Sequence, residues 1–100
     1  MFKRKPRELV IPPAAQSDPK AAELVRVWAA TGQQHVTISA EAWEDPATWG
    51  IVLVDLARHV ANYYAQYLSL QWDEVLLRIK NMFEAEWQSP SSESKGSIIQ

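Results

Sequence analysis

The chain has 100 residues, 47% of them hydrophobic, a size that fits one domain with its own core and leaves no room for a second. It has no cysteine, which excludes disulfides, thiolate metal sites and a cysteine nucleophile, and favours a reducing, cytoplasmic setting. The net charge of −2 is unevenly spread: Lys3, Arg4, Lys5 and Arg7 place +4 on the first seven side chains and leave −6 on the remainder, so that only this arm could attract nucleic acid or an anionic surface.

Residues 1–7 are predicted to be a disordered basic arm, without the apolar core of a secretory signal. Glu8 to Ile11 is a short apolar run closed by Pro12 and Pro13, suited to a brief strand. Asp18 followed by Pro19 reads as a helix N-cap with proline at the first helical position. Ala21, Leu24, Val25 and Trp28 then recur at three- and four-residue spacing, which predicts a helix to Ala30 with Gly32 as its stop. Gln33 to Ser39 alternates and contains β-branched residues, as a half-buried strand does. Strand, helix and strand in this order predict a parallel two-stranded ribbon joined by a right-handed crossover. A ribbon of two strands is marginal in water, so helices or a second copy of the chain must cover it.

Asp45 and Pro46 repeat the capping signature and open the strongest helical pattern, predicted over about residues 46–68. Trp49, Leu53, Leu56, Val60, Tyr63 and Tyr67 form one apolar stripe; Val54, Ala57, Ala61, Tyr64 and Leu68 form another beside it. Together they are wider than a helix needs when it packs on a single neighbour. Gly50 suggests the close approach of Trp28 or Trp43. A third helix over about residues 71–87 carries Trp72, Val75, Leu76, Ile79, Met82, Phe83 and Trp87 on one face, and the short connection predicts an αα-hairpin whose stripes meet as the core. The fold class is therefore α+β with helices dominant, as one domain over residues 8–88. Residues 89–100, SPSSESKGSIIQ, are predicted to be a disordered Ser-rich tail, with Ile98 and Ile99 too few to order it. The longest uncharged run, Pro46 to Val54, is far short of the roughly 20 residues of a membrane span.

The polar strip of the central helix carries the one cluster with possible chemistry, Asp55, Arg58 and His59. A carboxylate one turn from a histidine can orient the imidazole as a general base, or the three can form an ordinary surface ion-pair group around Arg58. As metal ligands Asp55 and His59 supply two donors where zinc or non-haem iron takes three, and nothing in the spacing requires His35 as the third. The three glycines, Gly32, Gly50 and Gly96, stand too far apart for a phosphate-binding loop. No catalytic residue, metal or cofactor is expected. Trp43, in the acidic loop EAWEDP, reads either as a hydrophobic staple on the helix that follows or as an interface anchor; Val54 and Tyr64 are the other candidate interface positions.

The order of PPAAQSDPKAAELVRVWAA, QHVTIS, ATWGIVLVDLARHVANYY and RIKNMFEAEWQSP resembles a family of short bacterial proteins, mainly proteobacterial, known as a domain of unknown function. The likeness runs from about Glu8 to Pro90 and implies a bacterial source; it carries over no activity and no site residue. The sequence thus points to a non-enzymatic interaction or accessory protein acting as a homodimer or higher oligomer. Two alternatives are a binder of nucleic acid or an anionic surface through Lys3, Arg4, Lys5 and Arg7, and a small-ligand site or weak enzyme around Asp55, Arg58 and His59. The expected partner is a second copy of the chain, or else another protein; nucleic acid is disfavoured by the acidic body.

Overall fold

The computed structural model describes residues 5–91 and 96–99. Its elements are helix α1 (Pro13–Ser17), strands β1 (Val25–Ala30) and β2 (Gln33–Ile38), helices α2 (Thr48–Tyr67) and α3 (Trp72–Gln88), and strand β3 (Ile98–Ile99). The fold is α+β with helices dominant, as the sequence predicts.

The first third of the chain differs from expectation. Leu9 and Val10 belong to no strand and are almost fully exposed. The predicted helix from Pro19 to Ala30 is absent. Asp18 does cap, but it caps a turn: its side chain accepts from the Lys20 amide at 2.8 Å and its carbonyl from the Ala21 amide at 3.0 Å. The stretch VRVWAA fits period two as well as the helical period, and Val25 and Val27 are β-branched, so pairing with the next strand decides in favour of β1. β1 runs antiparallel to β2 with Ala30 opposite Gln33, which leaves Thr31 and Gly32 as a two-residue loop. Both have positive φ, 54° and 70°, as a type I′ hairpin turn requires. Gly32 is thus half of a hairpin turn, and the parallel crossover does not form.

A third strand completes the sheet. Ile98 and Ile99 pair in parallel with Val36 and Thr37, giving the order β1-β2-β3, so the tail is ordered at its two isoleucines. Gly96 permits this approach: its φ is 118°, and a methyl group there would collide with the Gln34 carbonyl. Register puts Val25, Val27, Ala29, Val36, Ile38 and Ile98 on one face, interrupted only by Gln34. Arg26, Trp28, His35 and Thr37 lie on the other.

The helical hairpin forms as the sequence predicts, with different contents in its seam. The chain enters α2 through hydrogen bonds from Thr48, Trp49 and Gly50 to the carbonyls three residues earlier, and the Asp45 carboxylate accepts from the Ala47 amide at 3.0 Å. Gly50 meets no neighbour within 4 Å, so the close approach inferred there is absent. Leu68 and Leu70 both donate to the Tyr64 carbonyl, with Ser69 at φ 58° between them, and the chain turns back into α3. Ala61 is fully enclosed and Val75 is 7% exposed; Ala57 and Ala65, one turn to either side of Ala61, are half-buried with Leu76 and Ile79. The seam is therefore an alanine row on α2 against Val75 and Ile79, and the large stripe Leu53, Leu56, Val60, Tyr63 and Tyr67 points elsewhere, each residue at least 36% exposed. Beyond α3, the Ser91 amide donates to the Glu86 carboxylate at 3.0 Å, and this bond holds the Glu86 carboxyl below its ordinary range.

No residue of β1, β2 or β3 comes within 8 Å, Cα to Cα, of α2 or α3. The sheet and the helical hairpin stand as two layers whose backbones do not approach closely.

Thr31 is β-branched at a left-handed position that favours asparagine or glycine. Thr31→Asn is expected to stabilise the fold by about 1 kcal/mol, read as a higher denaturant midpoint with an unchanged slope.

Candidate functional site

The cluster expected on α2 is present as a surface ion pair. Asp55 lies 3.7 Å from Arg58 across one helical turn, with both side chains more than half exposed. His59 is exposed on the same strip. Three grooves of the structure are lined by residues of the N-terminal segment and the β1–β2 hairpin, away from this strip. An exposed pair of this kind contributes little to stability. Among the described residues, no group of three or more His, Asp or Glu side chains could hold a metal ion.

Of the basic arm, Lys3 and Arg4 lie outside the described residues, and Lys5 and Arg7 are exposed in irregular chain. Arg26 organises the segment that follows. It bridges Glu8 at 3.3 Å and Glu23 at 3.0 Å, which ties the stretch before α1 alongside β1. Its hydrogen bond to Glu23, and then the charges of Glu23 and Glu8, raise the guanidinium above its already high ordinary value. Leu9, Ile11 and Pro12 on one side, with Val25, Val27 and Trp28 on the other, line a groove of about 600 Å³.

Trp43 sets its ring edge-on to Trp49 at 5.2 Å between centroids. It therefore packs back on the first turn of α2, as a staple does, while 39% of it stays exposed; the N-cap position is Ala47, two residues beyond the predicted Asp45. Val54 and Tyr64 are 49% and 37% exposed. Two uncovered apolar surfaces stand out: the stripe of α2 from Leu53 to Tyr67, whose excess width the sequence shows, and the face of the sheet around Val27 and Ile98, which the sequence did not single out. The period-two reading of VRVWAA carried the signal for the sheet face. On α2, Tyr63 gathers Tyr64 and Tyr67 at 5.7 Å and 5.3 Å, and on α3 Phe83 stacks on Trp87 at 5.6 Å.

His35 has a structural role. The Ser97 amide donates to its Nδ1 at 3.0 Å, the Ser97 hydroxyl lies 2.8 Å from the same nitrogen, and Nε2 is 3.4 Å from the Thr31 hydroxyl. A backbone N–H can only donate, so Nδ1 is the acceptor in this bond. His35 thereby fastens β3 to β2 and joins both to the hairpin turn.

These features define a class: a small, helix-dominated α+β chain whose notable surfaces are apolar and open. The chain belongs to the family described as Domain of unknown function (DUF5076), whose model matches residues 8–91. It is similar to a solved structure described as "a putative pyruvate dehydrogenase from the photosynthetic bacterium Rhodopseudomonas palustrus CGA009", at 35% identity and a TM-score of 0.73, over 98% of this chain and 100% of that one. No curated protein matches. No helix among the described residues is long and apolar enough to cross a membrane.

His35→Leu and Gly96→Ala are each expected to release β3 and leave the β1–β2 hairpin intact. Amide exchange should quicken at Val36, whose N–H donates to the Ser97 carbonyl at 2.9 Å, and stay slow at the amides that pair β1 with β2. Unchanged exchange at Val36 in both variants would refute the fastening role.

Proposed function

We propose that this is a non-enzymatic interaction or accessory protein that acts as a homo-oligomer, a dimer in its simplest form. One observation carries the reading: the single chain leaves too much surface uncovered. Among the described residues the enclosed side chains are Ala61 and Val75. The chain exposes 9546 Å², whereas a compact monomer of its 11.4 kDa exposes about 5,800 Å². Its radius of gyration of 16.1 Å likewise exceeds the roughly 13 Å of a compact chain of this length.

The uncovered surface is apolar and contiguous on the sheet and on the hairpin, which is the character of an obligate interface. Covering half of the excess on each chain would bury an area within the obligate range of about 2,000–5,000 Å² in total. The lack of cysteine fits work in the cytoplasm. The dehydrogenase name of the Rhodopseudomonas structure stays with that protein. The polar strip of Asp55, Arg58 and His59 would then be the solvated outside of the assembly, where three ionisable side chains keep the particle dispersed.

Light scattering coupled to size exclusion is expected to give at least twice the chain mass at low micromolar concentration, with unfolding that shifts upward as protein concentration rises. A folded monomer at tens of micromolar would overturn the proposal.

A further inference from the structure

We infer that in the assembled protein the apolar face of each sheet is covered by the helical hairpin of the partner copy, in a reciprocal exchange of layers. The inference rests on the oligomer proposed above and names its geometry. A sheet with one apolar face needs a second layer against it. Here the natural second layer, α2 and α3, belongs to the same chain and brings no Cα within 8 Å of the sheet. Each layer carries an open apolar surface, and the connection between them, residues 39–47, is long enough to hold them apart.

The two surfaces match in size. The α2 stripe from Leu53 to Tyr67 is about 21 Å long at 1.5 Å per residue, and the six-residue strands β1 and β2 run about 20 Å. They also match in chemistry: Val25, Val27, Val36, Ile38 and Ile98 offer a β-branched surface with no charged side chain among them. Two-fold symmetry selects the reciprocal arrangement. In an isologous dimer each contact occurs twice, so one sheet on the partner's hairpin implies the other as well, and all four apolar surfaces are covered together. A dimer that joined hairpin to hairpin would enclose the stripes and leave both sheet faces in water.

The cysteine-free chain makes the test direct. Two single-cysteine full-length chains with different tags, Val27→Cys and Leu56→Cys, are refolded together and treated with a short bismaleimide. A second pair, Ala29→Cys with Tyr63→Cys, covers the case in which the first fails to fold. The expected result is a covalent product that carries both tags, formed only in the mixture, from material that light scattering shows to be oligomeric. An oligomer in which Leu56→Cys or Tyr63→Cys cross-links to itself, with no mixed product, would overturn the layer exchange and leave the homo-oligomer standing. A monomer that gives no cross-link would remove both. A chain carrying both Val27→Cys and Leu56→Cys that closes on itself within a monomer would show instead that the two layers meet in one copy.

Discussion

The close approach of α2 and α3 along Ala57, Ala61 and Ala65 governs the rest of the molecule. Small side chains let the two helix axes come near one another and give a well-defined crossing, but each alanine removes little apolar area from water, and burial contributes in proportion to that area. The large side chains on α2 lie about a third of a turn away from the seam and are directed outward by it. A hairpin that spent its seam on tyrosines and leucines could be self-sufficient. One that spends it on alanines is stiff, well registered and apolar on the outside. Since a domain is stable by only about 5–15 kcal/mol, leaving such a surface in water is a constraint on what the protein can be, and the proposed assembly answers it.

The sheet imposes a second constraint of the same kind. Its three strands draw together chain segments from both ends, with His35 and Ser97 in contact across 62 positions. A two-residue strand does not hold such a closure by backbone pairing alone. The imidazole of His35 supplies the additional bond, and Gly96 supplies the space in which the tail comes close to Gln34. The same histidine that could have been taken as a metal donor is thus accounted for by a ring nitrogen that accepts from a backbone amide. Closing the sheet in this way encloses the helical hairpin within one long loop of the chain, yet the two layers remain separate.

Asp55, Arg58 and His59 have suitable chemistry for acid–base work, and they stand on an exposed strip of α2, where water screens the ion pair. The apolar surfaces are where the chain departs from the behaviour of an ordinary monomer. The family to which the chain belongs is described as a domain of unknown function, and the open faces are the feature on which the proposed function rests.

The sequence by itself determined the elements whose signals are local. The two helices of the hairpin follow from Asp45, Pro46 and long apolar periodicity; β2 follows from the alternation in QQHVTI; Trp43 follows from its place just ahead of the cap. The family was legible in the order of these segments, and the ion pair was legible as one of two readings of the polar strip. Tertiary structure alone decided the rest. VRVWAA satisfies two periods at once, and only its ladder with β2 makes it a strand. Ile98 and Ile99 have no pattern of their own and become β3 because Val36 and His35 lie within reach. Which stripe of α2 meets α3 was likewise open, since both stripes are apolar and periodicity measures how apolar a face is without saying which neighbour it meets. The physical reason is common to all three: local sequence fixes backbone preference and the polarity of each face, whereas the choice among compatible partners depends on contacts between residues far apart in the chain.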